Sequence, residues 1–151
     1  MKKQTYIVAT VLSALLLLPI SLQAATSKHE ALFYAARAGQ SQNVANLIKQ
    51  GANVNFANRF RETPMHAAAA RGQVGVMQFL RSKGGRHNIS TVNGWFPLHH
   101  AVRFGHVGAA QYLLQLGSPV HARTRDGKSV FDIAQATRNR AMIQMLQRYR
   151  R

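Results

Sequence analysis

Apolar residues recur along this chain in short clusters at helical spacing, and polar or glycine-containing stretches separate the clusters. The clusters around residues 65–69 and 74–80 each place their apolar side chains on one face of a short helix. Pro64 suits the first position of a helix because its missing N–H has no helical partner there. Gly72 can adopt the left-handed conformation that ends a helix. The pattern therefore predicts two short helices joined by a tight turn.

This unit repeats along the sequence with a period of 33 residues. A single pair of short helices cannot bury its apolar face, whereas stacked pairs form one continuous core. Four units fit after residue 24, at approximately 28–60, 61–93, 94–126 and 127–151. We therefore expect an all-α solenoid of four helix-turn-helix repeats with short hairpin loop tips. Two glycine series keep the period: Gly39, Gly72 and Gly105, and Gly51, Gly84 and Gly117.

The repeated motifs resemble those of the ankyrin repeat. The second unit contains Thr63-Pro64-Met65-His66, the third contains Pro97-Leu98-His99, and the loop motif appears as Gly51-Ala52-Asn53-Val54-Asn55. The resemblance covers residues 25–151 and implies a non-catalytic protein-binding domain. In the last unit Asp132 replaces the histidine and Arg138 replaces the glycine, as is common in end repeats. Arg81 stands where the family usually has leucine, which leaves the local packing of the second unit open.

The N-terminus differs from the rest of the chain. Lys2 and Lys3 precede an apolar stretch at 7–20, and small residues follow up to Ala24. This layout is typical of a secretory signal peptide at 1–24. We expect an exported, periplasmic protein whose mature chain begins near Ala25, which the intact mass of the native protein would test. The alternatives are secretion from the cell or an uncleaved signal segment that anchors the chain.

The composition is strongly basic. The 151 residues include 20 Lys and Arg but only 4 Asp and Glu, giving a formal net charge of +16. Such a surface favours an anionic partner, which we expect to be an acidic protein. An anionic envelope polymer, a membrane surface and nonspecific nucleic acid remain alternatives, as does charge that only aids solubility. Cysteine is absent, which excludes disulfides and thiolate chemistry. We expect a monomer.

The sequence predicts no catalytic, cofactor-binding or metal-binding site. His66 and His99 occupy the motif position, where the resemblance implies a structural hydrogen-bonding role. His99 and His100 are adjacent and should point to different helix faces, so they cannot easily share a metal ion. Ser129 and Asp132 fit a pair that caps the start of a helix. We therefore expect a protein that is not an enzyme.

The resemblance places partner binding on the first helices and the loop tips, which line the concave side of such solenoids. Arginine and aromatic side chains contribute most to interface energetics, and this side is predicted to hold both. We expect Trp95 to act as an apolar anchor and the arginines to steer an acidic partner. The predicted binding residues are Arg37, Arg59, Phe60, Arg71, Lys83, Trp95, Arg103, Phe104, Arg125 and Lys128.

Overall fold

The computed structural model describes residues 27–150, and the predicted signal peptide lies outside the described residues. Within this range the chain forms eight α-helices in four consecutive pairs, one pair for each predicted repeat. The all-α helix-turn-helix solenoid expected from the sequence is thus confirmed. The helices are α1 (Lys28–Ala38), α2 (Ser41–Lys49), α3 (Pro64–Ala69), α4 (Val74–Ser82), α5 (Pro97–Arg103), α6 (Val107–Gln115), α7 (Val130–Thr137) and α8 (Arg140–Gln147).

The first helix of each pair begins and ends at residues suited to those positions. Ser27 accepts a hydrogen bond from the Glu30 amide at the start of α1, and α3 and α5 each begin at a proline. In the first three repeats, the glycine that follows the first helix has positive φ, as at Gly72 with φ 68°. Arg138 adopts the same left-handed conformation with φ 53°. The last repeat therefore keeps the turn although it lacks the glycine.

Stacked helices bury a single apolar core that runs through all four repeats. The first helices α1, α3, α5 and α7 contact one another in sequence, and so do the second helices α2, α4, α6 and α8. Alanine pairs such as Ala68 and Ala69 are fully buried between first helices, where small side chains allow close packing. Arg81 is exposed while the neighbouring Leu80 is buried. The unusual arginine therefore leaves the core of the second repeat intact.

The loop tips that connect the repeats are joined to one another by backbone hydrogen bonds. The Val92 amide donates to the Phe60 carbonyl at 3.0 Å, and the Arg125 amide donates to the Asn93 carbonyl at 2.8 Å. Arg61 has φ 61° in the place that glycine takes in the next two tips. These bonds join successive tips into one edge, and tip residues such as Phe60 line pockets together with first-helix residues. Across residues 27–150, no helix has the length and apolar character needed to cross a membrane.

Candidate functional site

The first helices of three repeats place equivalent side chains in a row on the inner face. Tyr34, Ala67 and His100 occupy one position of the repeat at the 33-residue period. Arg37 and Arg103 share a second position, one helical turn further on. Because residues three or four apart lie on the same face of a helix, each helix presents both positions together. The inner face is thus assembled by stacking and not by any single repeat.

Two adjoining pockets lie between this face and the loop tips. The smaller has a volume of about 320 Å³ and the larger about 770 Å³. Both are lined by Phe60, Glu62, His100 and Phe104, so the pockets are continuous, and we call them together the groove. The other lining residues include Trp95, Arg103 and Val92 on the smaller side and Phe33, Tyr34, Arg37, Ala67 and Arg71 on the larger side.

The exposed apolar side chains of the protein are concentrated in the groove. Among the described residues the large apolar side chains that remain exposed are Tyr34 (58%), Phe60 (48%), Phe104 (55%) and Val92 (44%). All four line one or both pockets. A contiguous apolar patch with a polar rim is characteristic of an interaction site. This is the strongest structural indication of where a partner contacts the chain.

Trp95, the predicted anchor, is only half-buried and also contributes to the packing of the third repeat. Its ring lies 5.3 Å from that of His100, between ring centroids, in an edge-on contact. The guanidinium of Arg103 lies 5.6 Å from the Trp95 ring centroid, a distance at which a cation interacts favourably with the ring face. Trp95 therefore lines the groove and supports its floor.

The charged residues of the groove are mostly arginines without acidic partners. Arg37, Arg71 and Arg103 are exposed, and no carboxylate of residues 27–150 lies within ion-pairing distance of them. Glu62 is the one acidic residue lining either pocket, and its carboxylate accepts a 3.0 Å hydrogen bond from the Asn58 side chain. The groove thus presents positive charge at its edge and one fixed carboxylate inside.

The motif histidines have the structural role that the resemblance implied. The Nδ1 atom of His66 accepts the Thr63 amide at 3.1 Å, so its Nε2–H donates to the Trp95 carbonyl of the next repeat, also at 3.1 Å. Burial, together with the nearby His100, lowers the pKa of His66 to about 3. His66 is therefore neutral near pH 7 and joins two repeats.

His99 forms similar bonds one repeat later, but its carbonyl partner lies within its own repeat. Its Nδ1 accepts the Phe96 amide at 3.2 Å and its Nε2–H donates to the Ala122 carbonyl at 3.2 Å. Burial lowers the pKa of His99 to about 4. While His99 is fully buried, its neighbour His100 lines the groove, as expected for adjacent helical residues. Ser129 and Asp132 form the predicted capping pair, with the Ser129 hydroxyl 2.7 Å from the Asp132 carboxylate.

His100 is a groove residue that was not among the predicted binding residues. Its Nε2 is shielded from solvent and has no hydrogen-bond partner in the described part of the chain. Burial lowers its pKa, an effect that Glu62 opposes and Arg103 reinforces. Tyr34 and Val92 also line the groove and were not among the predicted binding residues. The equivalence of Tyr34 and His100 in the repeat was the signal that could have found both first-helix residues.

The structure brings six of the ten predicted binding residues into the groove and places the other four outside its two pockets. Arg59 packs over the Phe60 ring, 4.7 Å from its centroid. Arg125 and Asp126 line an adjoining depression of about 340 Å³, and Lys128 pairs with Asp126 at 2.9 Å. Lys83 follows α4, where its ammonium group lies 5.5 Å from the Phe79 ring centroid. Those in the groove are Arg37, Phe60, Arg71, Trp95, Arg103 and Phe104.

The comparison with protein families agrees with this geometry. A family model described as ankyrin repeats (3 copies) matches residues 10–91 and 32–124, which together cover most of the chain. The chain therefore belongs to the ankyrin-repeat family, whose repeats form protein–protein interaction modules. A search of curated proteins found no match. Residues 27–150 contain no group of three or more histidine and carboxylate side chains arranged to hold a metal ion.

Proposed function

We propose that the protein is an exported, non-catalytic interaction module that binds an acidic protein through the groove. The observation that carries the proposal is the concentration of exposed apolar side chains on one face, beside arginines without carboxylate partners. Apolar contacts supply affinity, while the arginines raise the association rate and orient an acidic partner. An inhibitory, immunity-type, scaffold or protective role would each use the same contact. The layout of residues 1–24 supports export.

A capture experiment at low and moderate salt tests this proposal. The immobilised protein should retain an acidic protein from envelope extract at both salt concentrations, because apolar contacts are not screened. The double variant Arg71→Glu and Arg103→Glu should lose most of this partner, with association slowed about tenfold or more. The matched variant Arg140→Glu and Arg148→Glu carries the same charge change on and just after α8, away from the groove, and should retain it. The opposite pattern would contradict the proposal.

The second candidate function is electrostatic binding to an anionic envelope polymer, a membrane surface or nucleic acid. The observation that favours it is that basic side chains are also exposed outside the groove, including Arg81, Arg86, Arg140 and Arg148. Binding of this kind releases counterions and falls steeply with salt. It should also weaken in proportion to the number of charges reversed, wherever they lie. Equal losses in both double variants would therefore favour this alternative.

A further inference from the structure

The second repeat carries an alanine at the groove position where its neighbours carry larger side chains. Tyr34 in repeat one and His100 in repeat three are equivalent to Ala67, and all three line the larger pocket. Ala67 is only 5% exposed, whereas Tyr34 is more than half exposed. The row is therefore interrupted in the middle by a recess, which we define by Tyr34, Ala67 and His100. Ala70, which directly follows α3, also lines the larger pocket and keeps the recess open.

The surroundings of the recess indicate the chemistry of its occupant. Phe60 and Phe104 form exposed apolar walls. Arg37 and Arg71 line the same pocket without carboxylate partners among the described residues. A bulky apolar side chain would bury surface against the walls, and flanking carboxylates would reach the arginines. Each guanidinium can bind a carboxylate through two parallel hydrogen bonds.

Glu62 indicates that the occupant is a peptide and not a nucleic acid strand. Its carboxylate lines both pockets and is held by Asn58. A phosphate backbone laid along the groove would bring its negative charges against this carboxylate. A peptide offers backbone N–H groups that can donate to it, and its carboxylates, carried on separate side chains, can lie beside the arginines instead. The groove therefore favours a protein segment over a nucleic acid strand.

We propose that the recess over Ala67 receives one bulky apolar side chain from an acidic segment of the partner protein. Carboxylates on either side of that side chain pair with Arg37, Arg71 and Arg103. This inference rests on the proposed function and adds to it the chemical pattern that the partner must carry. It also assigns Ala67 a role in specificity, since a larger residue there would close the recess.

A random peptide library displayed on phage tests the pattern without knowledge of the natural partner. Selection on the purified protein should enrich peptides in which an aromatic or leucine side chain is flanked by aspartate or glutamate. Replacing that apolar residue by alanine in a synthetic enriched peptide should weaken binding about tenfold or more, which corresponds to roughly 1.4 kcal/mol. Enrichment of basic peptides, or of none, would overturn the proposal.

Variants of the protein test the recess directly. Ala67→Tyr should weaken binding of the enriched peptide about tenfold or more. Ala141→Tyr makes the same chemical change at an exposed site on α8 and should leave affinity unchanged. Circular dichroism checks that both variants fold, which is expected because repeat one already carries tyrosine at the equivalent position. If Ala67→Tyr does not fold, Ala67→His introduces the residue of repeat three and gives the same test.

The outcomes separate this inference from the function on which it rests. If Ala67→Tyr binds the peptide normally while Arg71→Glu with Arg103→Glu abolishes binding, the groove binds acidic partners and the recess proposal is wrong. If neither change alters binding, the groove is not the binding site and both proposals fail. Loss of binding in the tyrosine variant, with the Ala141 control unaffected, is the result that the recess predicts.

Discussion

The second and fourth repeats share one architecture but differ in what joins and surrounds them. In the second repeat, His66 bonds the start of its own helix and also the Trp95 carbonyl of the following repeat. In the fourth, Asp132 at the same position bonds Ser129 of its own repeat and pairs with the exposed Arg123 of the preceding loop. The second ring nitrogen of His66 can donate onward to the repeat that follows, which a carboxylate cannot do. An aspartate suffices at the end of the stack.

The two regions also differ in whether their charged side chains form ion pairs. Around the fourth repeat, Arg123 pairs with Asp132 and Lys128 with Asp126. Along the groove, Arg37, Arg71 and Arg103 have no such partner among the described residues. The aspartates at and just before the last repeat are therefore paired with basic residues, while the groove arginines keep their charge available for binding.

Replacing the linking histidine should have the largest effect. His66→Ala leaves the buried Thr63 amide and Trp95 carbonyl without their partner and opens a cavity, so it should lower the free energy of unfolding by about 3 kcal/mol. Asp132→Ala removes an exposed cap and should lower it by clearly less. Urea unfolding followed by circular dichroism measures both. If both variants lost the same free energy of unfolding, the hydrogen bond between repeats would contribute no stability beyond that of the helix cap.

Acid should destabilise the inner repeats before it affects the last one. His66 and His99 have pKa values of about 3 and about 4 when folded but about 6.5 when unfolded. As pH falls below 6.5 the unfolded chain therefore takes up protons that the folded chain does not, and stability is lost until the folded pKa values are reached. Each histidine should contribute a slope of about 1.4 kcal/mol per pH unit in that window.

The aspartates at and just before the fourth repeat have lowered pKa values. Hydrogen bonds from Ser129 lower the pKa of Asp132, and hydrogen bonds from Thr124 and Lys128 lower that of Asp126. Their stabilising effect is present above pH 3.8, the pKa of the unfolded carboxyl groups, and is lost only as the pH falls below that value. Unfolding measured between pH 7 and pH 4 should therefore depend on the histidines, and His66→Ala should reduce the slope. An unchanged slope in that variant would contradict this assignment.

The fold was predictable from the sequence because each turn depends on local residues. Pro64 and Gly72 mark helix ends by their own backbone preferences, and the fixed period carried that information to the other repeats. Arg138 could keep its left-handed turn because the packing of neighbouring helices outweighs the preference of one exposed residue. The capping role of Ser129 and Asp132 followed from their spacing alone.

The groove was predictable only in part because its shape depends on stacking. The arginines and the exposed Phe60 and Phe104 were found by aligning the repeats. The recess at Ala67 was not, since it exists only between the larger side chains of the two neighbouring repeats. Lys83 follows a second helix, as its place in the sequence predicted, but it lies near Phe79 and outside both pockets.

Photo-crosslinking in the native cell tests the central claim, that the groove is the binding face, most directly. A benzophenone amino acid replaces Phe104 at the groove or Ala141 on α8, both of which are exposed. We expect an acidic protein to be crosslinked from position 104 and not from position 141, and the product to disappear when Arg71→Glu and Arg103→Glu are added. Equal crosslinking from position 141, or a product that survives the charge reversal, would contradict the account.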